Sequence, residues 1–215
     1  MPTTLKRNWL RIAAHLACLA PAAILALDYA RDNLTFNPIQ EATQRTGKTA
    51  LVILVLSLAC TPLNTLFGLR QALPLRRPLG LYAFAYAAVH LLIFVAVDYG
   101  FAMAQILDVV AEKRYMLVGF AAFLLLLPLA LTSNRAAMRR LGQSWKKLHR
   151  LVYLAAGLAV VHFVWLVKAD VREPLAYGAA IALLLLLRLP PVRRRLAALR
   201  AKRPAPEEVP STQRR

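Results

Sequence analysis

Residues 145–168 read WKKLHRLVYLAAGLAVVHFVWLVK. From Leu151 to Val167 the run is apolar except for His162, and it is bounded by Lys146, Lys147 and Arg150 on one side and Lys168 on the other. A bilayer core takes about 20 mostly apolar residues at 1.5 Å each. This run meets that length and has no polar face to present to water, so it reads as a membrane-crossing helix. The rest of the chain repeats the pattern. Five further spans are expected at about 9–27, 49–67, 79–97, 115–131 and 174–189, with the quoted run forming the span at 148–167. Each is closed by charge, Pro, Asn or Gly. The expected fold is an all-α membrane protein, a six-transmembrane-helix bundle occupying residues 1–196. Residues 197–215, basic and carrying Pro204, Pro206 and Pro210, read as a disordered tail.

Composition agrees. Of 215 residues, 59% are hydrophobic and 18% charged, and mean hydropathy is +0.51. Soluble domains run nearer 45–50% apolar and about 25% charged. The excess of apolar residues excludes a disordered chain. The two cysteines, Cys18 and Cys60, lie in apolar runs, which excludes a disulfide scaffold. The first span, preceded by Lys6 and Arg7, is too long for a secretory signal and carries His15 and Pro21, so it reads as a retained helix.

The net charge of +18 would ordinarily suggest nucleic acid. Its placement argues otherwise. With the amino terminus in the cytoplasm, all but seven of the 28 basic residues fall on the inner side. The exceptions are Arg31, Arg45, Lys48, Lys113, Arg114, Lys168 and Arg172. This is the positive-inside bias of a multi-pass membrane protein with both termini cytoplasmic. The basic rim meets anionic lipid headgroups, and no nucleic-acid partner is expected.

The chain has four histidines, His15, His90, His149 and His162, all within spans one, three and five. Ionisable groups inside a membrane are costly and mark functional sites by default. The plainer alternative is a neutral imidazole bonded to a neighbouring helix. Depth favours function for two of them. His90 lies eight residues before Asp98, and His162 six before Lys168, which puts both roughly 9–12 Å below the outer boundary on parallel helices. Two such imidazoles can clamp a b-type haem from both faces. No Cys-x-x-Cys-His run is present for a c-type haem. His149 lies 13 residues before His162, about 20 Å deeper, where a second cofactor could sit. In an ideal helix the two rings point roughly 140° apart. His15 is one candidate partner for His149, helix packing being its other reading. Arg76 and Arg77 open span three; they read either as inner-interface anchors or as partners for haem propionates, a flavin phosphate or a quinone.

Several stretches together look like family motifs: HLACLAP at 15–21, NPIQEATQRTGKTAL at 37–51, RRPLGLYAFAYAAVHLLIF at 76–94, LALTS at 129–133, and the run at 145–168. By these the chain resembles the ferric-reductase-like transmembrane family, within it the haem-binding membrane subunits of bacterial periplasmic methionine-sulfoxide reductase systems. The 13-residue histidine pair is shared with the related NADPH oxidases, whose inner histidine on span three is absent here. The resemblance implies haem b, one or two, on His90, His149 and His162, and allows flavin mononucleotide (FMN). It implies electrons taken from the quinone pool or a cytoplasmic flavin reductase. They would pass outward to a periplasmic molybdopterin methionine-sulfoxide reductase, the partner that carries out the sulfoxide chemistry. The sequence has no Gly-rich dinucleotide fingerprint with which to draw hydride itself.

Two rival readings stand beside this one. One is a free-standing ferric or quinone-linked reductase. The other is a non-redox transporter or assembly factor, although no clear internal repeat is visible. The segment from Asn37 to Lys48 reads as a polar outer loop, or as a docking surface for the partner. Trp9, Tyr29, Tyr99, Tyr115, Trp145 and Trp165 read as interfacial anchors, with Trp165 a further candidate lining residue for the outer cofactor.

Overall fold

A computed structural model of the chain describes residues 2–167 and 169–192. The expected tail at 197–215 lies outside these residues, as does Lys168. Among the described residues there are helices and no strand. In chain order they are α1 (Pro2–Ala30), α2 (Pro38–Phe67), α3 (Arg76–Leu92), α4 (Met103–Glu112) and α5 (Arg114–Leu131). Then come α6 (Arg135–Leu141), α7 (Gln143–Leu148), α8 (Leu151–Leu166) and α9 (Arg172–Leu186). A 3₁₀ segment, Arg70–Leu75, leads into α3, and a π-helical turn, Ile93–Asp98, prolongs it.

Five helical stretches are long and apolar enough to cross a membrane: Trp9–Ala30, Pro38–Phe67, Arg70–Asp98, Arg114–Leu131 and Gln143–Leu166. The protein is therefore a multi-pass membrane protein. The sixth expected span corresponds to α9, whose 15 residues reach only about 22 Å against a core of about 30 Å.

Large apolar side chains cover the outside of the bundle. Leu16, Leu124 and Leu154 are 62%, 48% and 54% exposed, as expected where hydrocarbon replaces water as the solvent. Inside, α2 contributes Leu51, Leu54 and Leu58, α3 contributes Leu79, Ala83 and Tyr86, and α8 contributes Ala155 and Ala156. The two alanines are fully buried, letting backbones approach closely, which is how membrane helices gain packing energy.

Two antiparallel helix pairs dominate the packing: α2 with α3, and α5 with α8. The 3₁₀ segment joins the first pair, α6 and α7 join the second, and α3 also meets α5. Helix α9 lies against α8 and α2, while α1 touches α2 and α3.

The segment from Asn37 to Lys48 is not a loop. It forms the first turns of α2, because Asn37 caps the helix by accepting from the Gln40 N–H (3.1 Å) and Pro38 occupies the first turn. Thr43, Thr46 and Thr49 return their hydroxyls to carbonyls four residues back, which satisfies them without breaking the helix. Arg45 holds both Asp28 and Glu41, and Glu41 accepts from the Thr35 N–H, tying the end of α1 to the start of α2. Lys48 pairs with Glu173 at the head of α9 (2.6 Å). Both partners of that last pair are about half exposed, so Lys48→Ala is expected to change thermal stability by less than about 1 kcal/mol.

Helix α1 is held by Tyr86. Its hydroxyl donates to the Cys18 carbonyl (2.7 Å) and accepts from the Ala22 N–H (3.0 Å). It thus bridges a carbonyl–amide pair within the turn that contains Pro21. Removing the hydroxyl leaves two backbone groups unmatched in an apolar setting. Tyr86→Phe is expected to cost about 1–3 kcal/mol in thermal unfolding of the detergent-solubilised protein. Unchanged unfolding would show that the bridge is dispensable.

Candidate functional site

The C-terminal ends of α3 and α8 carry His90 and His162. Their rings lie 6.2 Å apart, centre to centre, with planes at 84°. Each ring is fixed by a helix of its own pair. His90 Nδ1 lies 2.8 Å from the carbonyl oxygen of Thr43 on α2, and His162 Nδ1 lies 2.7 Å from that of Tyr115 on α5. A carbonyl only accepts, so each Nδ1 carries the proton and each Nε2 keeps a free lone pair. This is the tautomer that second-sphere partners impose on metal-ligating histidines.

Two glycines make room for these rings. A Cβ at Gly47 would stand 2.9 Å from His90 Nδ1, and one at Gly119 would stand 2.5 Å from His162 Nδ1. The two constellations have the same spacing. Thr43, Gly47 and His90 map onto Tyr115, Gly119 and His162 by a single step of 72 residues. The α2–α3 and α5–α8 pairs thus repeat one device, a carbonyl and a glycine one turn apart facing a histidine. The sequence reading saw no repeat because side chains carry only part of the match: Thr43 and Tyr115 act through their backbone, which the letters do not reveal.

The donor set can be tested against a bound group. The two rings stand 6.2 Å apart with both Nδ1 atoms turned to carbonyls, so the two Nε2 atoms are the donors left to hold a group between them. Among the described residues no group of three or more His, Cys, Asp or Glu side chains could hold a metal ion. A pair of imidazoles with no third protein ligand would hold a metal whose remaining ligands come from a macrocycle. The residues therefore fit haem.

His149 lies elsewhere. It occupies the turn between α7 and α8, where the backbone keeps helical dihedrals while the hydrogen bonds of Arg150 and Tyr153 tighten to three residues. Its ring stacks on Trp145 (3.9 Å between centres, 28°), and Nε2 is 3.2 Å from Thr132 Oγ. Trp145 donates in turn to the Thr132 carbonyl (3.0 Å).

Arg77 bonds the neighbouring Ser133 carbonyl, which places the start of α3 beside the end of α5. The 72-residue step that relates the outer sites carries Arg77 onto His149. Position 77 is thus where a second inner imidazole would stand by symmetry, and an arginine fills it. Arg76 gives its carbonyl to Ser57 Oγ (2.8 Å), and its charge is near enough to act on His149.

His15 is not brought to His149. It is exposed on α1, with Nδ1 2.9 Å from the Tyr82 hydroxyl of α3, and no hydrogen bond or ring contact joins it to another histidine. Trp165 is 52% exposed. Sequence reasoning missed Gly47, the carbonyls of Thr43 and Tyr115, and Arg188. Only the repeated spacing could have pointed to the first three.

A ferric reductase like transmembrane component model matches residues 46–160. Curated relatives carry the name protein-methionine-sulfoxide reductase heme-binding subunit MsrQ. One from Xanthomonas campestris pv. campestris (strain 8004) is 45% identical over 181 residues, 81% of this chain and 83% of that protein. One from Xanthomonas axonopodis pv. citri is 45% identical over 177 residues, 80% and 81% of the two chains. One from Rhodospirillum rubrum is 43% identical over 192 residues, 89% and 92% of the two chains. No solved structure matches. Identity at this level over four-fifths or more of the chain, together with the family match across the paired helices, means that the chain belongs to the MsrQ family of ferric reductase like transmembrane components.

Proposed function

We propose that the chain is the haem b-carrying membrane subunit of an electron-transfer system. It takes electrons from the quinone pool or a cytoplasmic flavin reductase. It delivers them to a periplasmic molybdopterin methionine-sulfoxide reductase that repairs oxidised proteins. The observation that carries this reading is the His90–His162 pair, 6.2 Å between ring centres, each Nδ1 spent on a backbone carbonyl. When bound there, haem b supplies a one-electron carrier close to the outer face. The names of the relatives, a heme-binding subunit of a methionine-sulfoxide reductase, support both cofactor and partner.

The basic residues set the direction. With both termini cytoplasmic and α9 as the sixth crossing of the inner membrane, the paired histidines sit near the periplasm. His149 faces the donor side. His149, stacked on Trp145 and bonded to Thr132 at the opposite end of α8 from His162, is the candidate residue for a second, inner haem. Arg76, whose charge acts on that region, is the candidate contact for an anionic flavin such as FMN or for a quinone.

The test is transfer. The dithionite-reduced protein in detergent, freed of excess reductant, is mixed with the molybdopterin reductase and a methionine-sulfoxide protein. Reoxidation of the haem bands on mixing is expected, with methionine formed in proportion. Bands that stay reduced with an active reductase present would contradict the proposed partner.

A further inference from the structure

Arg188 follows the last turn of α9 and turns inward. One Nη donates to the Tyr153 hydroxyl of α8 (2.7 Å), and the other to the Leu58 carbonyl of α2. The guanidinium lies 5.3 Å from the centre of the Tyr153 ring. Of its five N–H groups the structure spends two. Its Nε is buried with no partner. Thr61 Oγ, one turn along α2 from Leu58, is the other buried side-chain polar atom without a partner among the described residues.

No described carboxylate is near. All of them fall in 28–41, 98–112 and 170–173, at the opposite end of the helices. A second positive charge, that of Arg76, is near enough to act on Arg188. A guanidinium whose Nε is buried without a partner or a counter-charge is costly. Tyr153 is one helical turn beyond His149, so this charge lies on the His149 side of the bundle.

We propose that Arg188, supported by Arg76 and Thr61, receives one anionic oxygen group, a carboxylate or a phosphate, of an amphipathic molecule seated between α2, α8 and α9. Two membrane-soluble molecules carry such a group. One is haem b through a propionate, in which case the inference rests on the haem reading above. The other is a phospholipid through its phosphate, in which case it stands alone. Arginine suits either group, since its planar donor fork matches both.

The experiment uses the full chain, purified in detergent from haem-replete cells, as wild type, Arg188→Gln, Arg188→Lys and Tyr153→Phe. Haem per chain is read by pyridine haemochrome, bound phospholipid by phosphorus assay, and folding by thermal unfolding. For a propionate, Arg188→Gln is expected to lose haem while phospholipid stays constant, and the haem that remains keeps the spectrum of the His90–His162 site. For a phosphate, haem stays constant and one tightly held phospholipid per chain is lost. Arg188→Lys keeps the charge without the fork and is expected to retain the ligand in part, which gives the same reading should Arg188→Gln not fold. If Arg188→Gln and Tyr153→Phe both lose stability while haem and phospholipid are unchanged, Arg188 only ties helices together and the proposal fails. A wild type without haem would overturn the proposed function and leave the phospholipid measurement to decide this one.

Discussion

His162→Ala, purified from haem-replete cells, is expected to lose the six-coordinate b-type spectrum of the outer site. The argument is one of ligand count. Among the described residues only two imidazoles face each other at that level, and no third His, Cys, Asp or Glu joins them to take over. Losing a mere outer-sphere partner of a metal ligand costs about 10–100-fold in affinity. Losing the ligand itself is expected to cost more than about 100-fold, so haem would not survive detergent washing. His90→Ala is expected to behave alike, because the two rings are held by equivalent carbonyls. Electron delivery to the sulfoxide reductase should stop in both. Full haem content in either variant would sink the clamp.

The second large effect comes from residues with no side chain. Gly119→Ala would put a methyl group 2.5 Å from His162 Nδ1 and 2.8 Å from Cε1, inside any real contact distance. The ring must then move, and moving it breaks the Nδ1–H bond to Tyr115 that sets its tautomer. Gly47→Ala does the same to His90, less severely, at 2.9 Å and 3.0 Å. In a helix interior, alanine is otherwise better than glycine by about 0.5–1 kcal/mol. The expected signature is therefore a split. Haem content and reduction potential change strongly in Gly119→Ala, and less in Gly47→Ala, while the helices fold. Gly157→Ala is the control, since a Cβ there meets nothing within 4 Å, and its haem content should equal wild type. Equal haem spectra in all three alanine variants would mean the rings do not need those glycines.

Much of this architecture was legible because a membrane makes few demands, and strong ones. Apolar runs bounded by charge located the crossing helices, and the side on which Arg and Lys gather suggested their direction. Depth arithmetic put His90 and His162 at one level, and the structure brings them together. What the letters hid has physical causes. The start of α2 looked like a loop because Asn37, Glu41, Arg45 and Lys48 are polar, yet they form a capped helix whose charges are spent on one another and on Asp28 and Glu173. The repeat was hidden because two of its six members act through backbone carbonyls. Gly47 sat in a polar stretch with no apolar face to suggest packing. Arg188 counted only as one of the inner-side basic residues, and the packing of α9 on α2 and α8 turns it inward.

The most direct measurement is an absorption spectrum of the detergent-purified protein, oxidised and dithionite-reduced, with a pyridine haemochrome assay on the same sample. Sharp reduced bands of a six-coordinate b-type haem, at one haem or more per chain, are the expected result. A colourless protein from haem-replete cells would contradict the account and return His90 and His162 to proton or metal transport, or to helix packing.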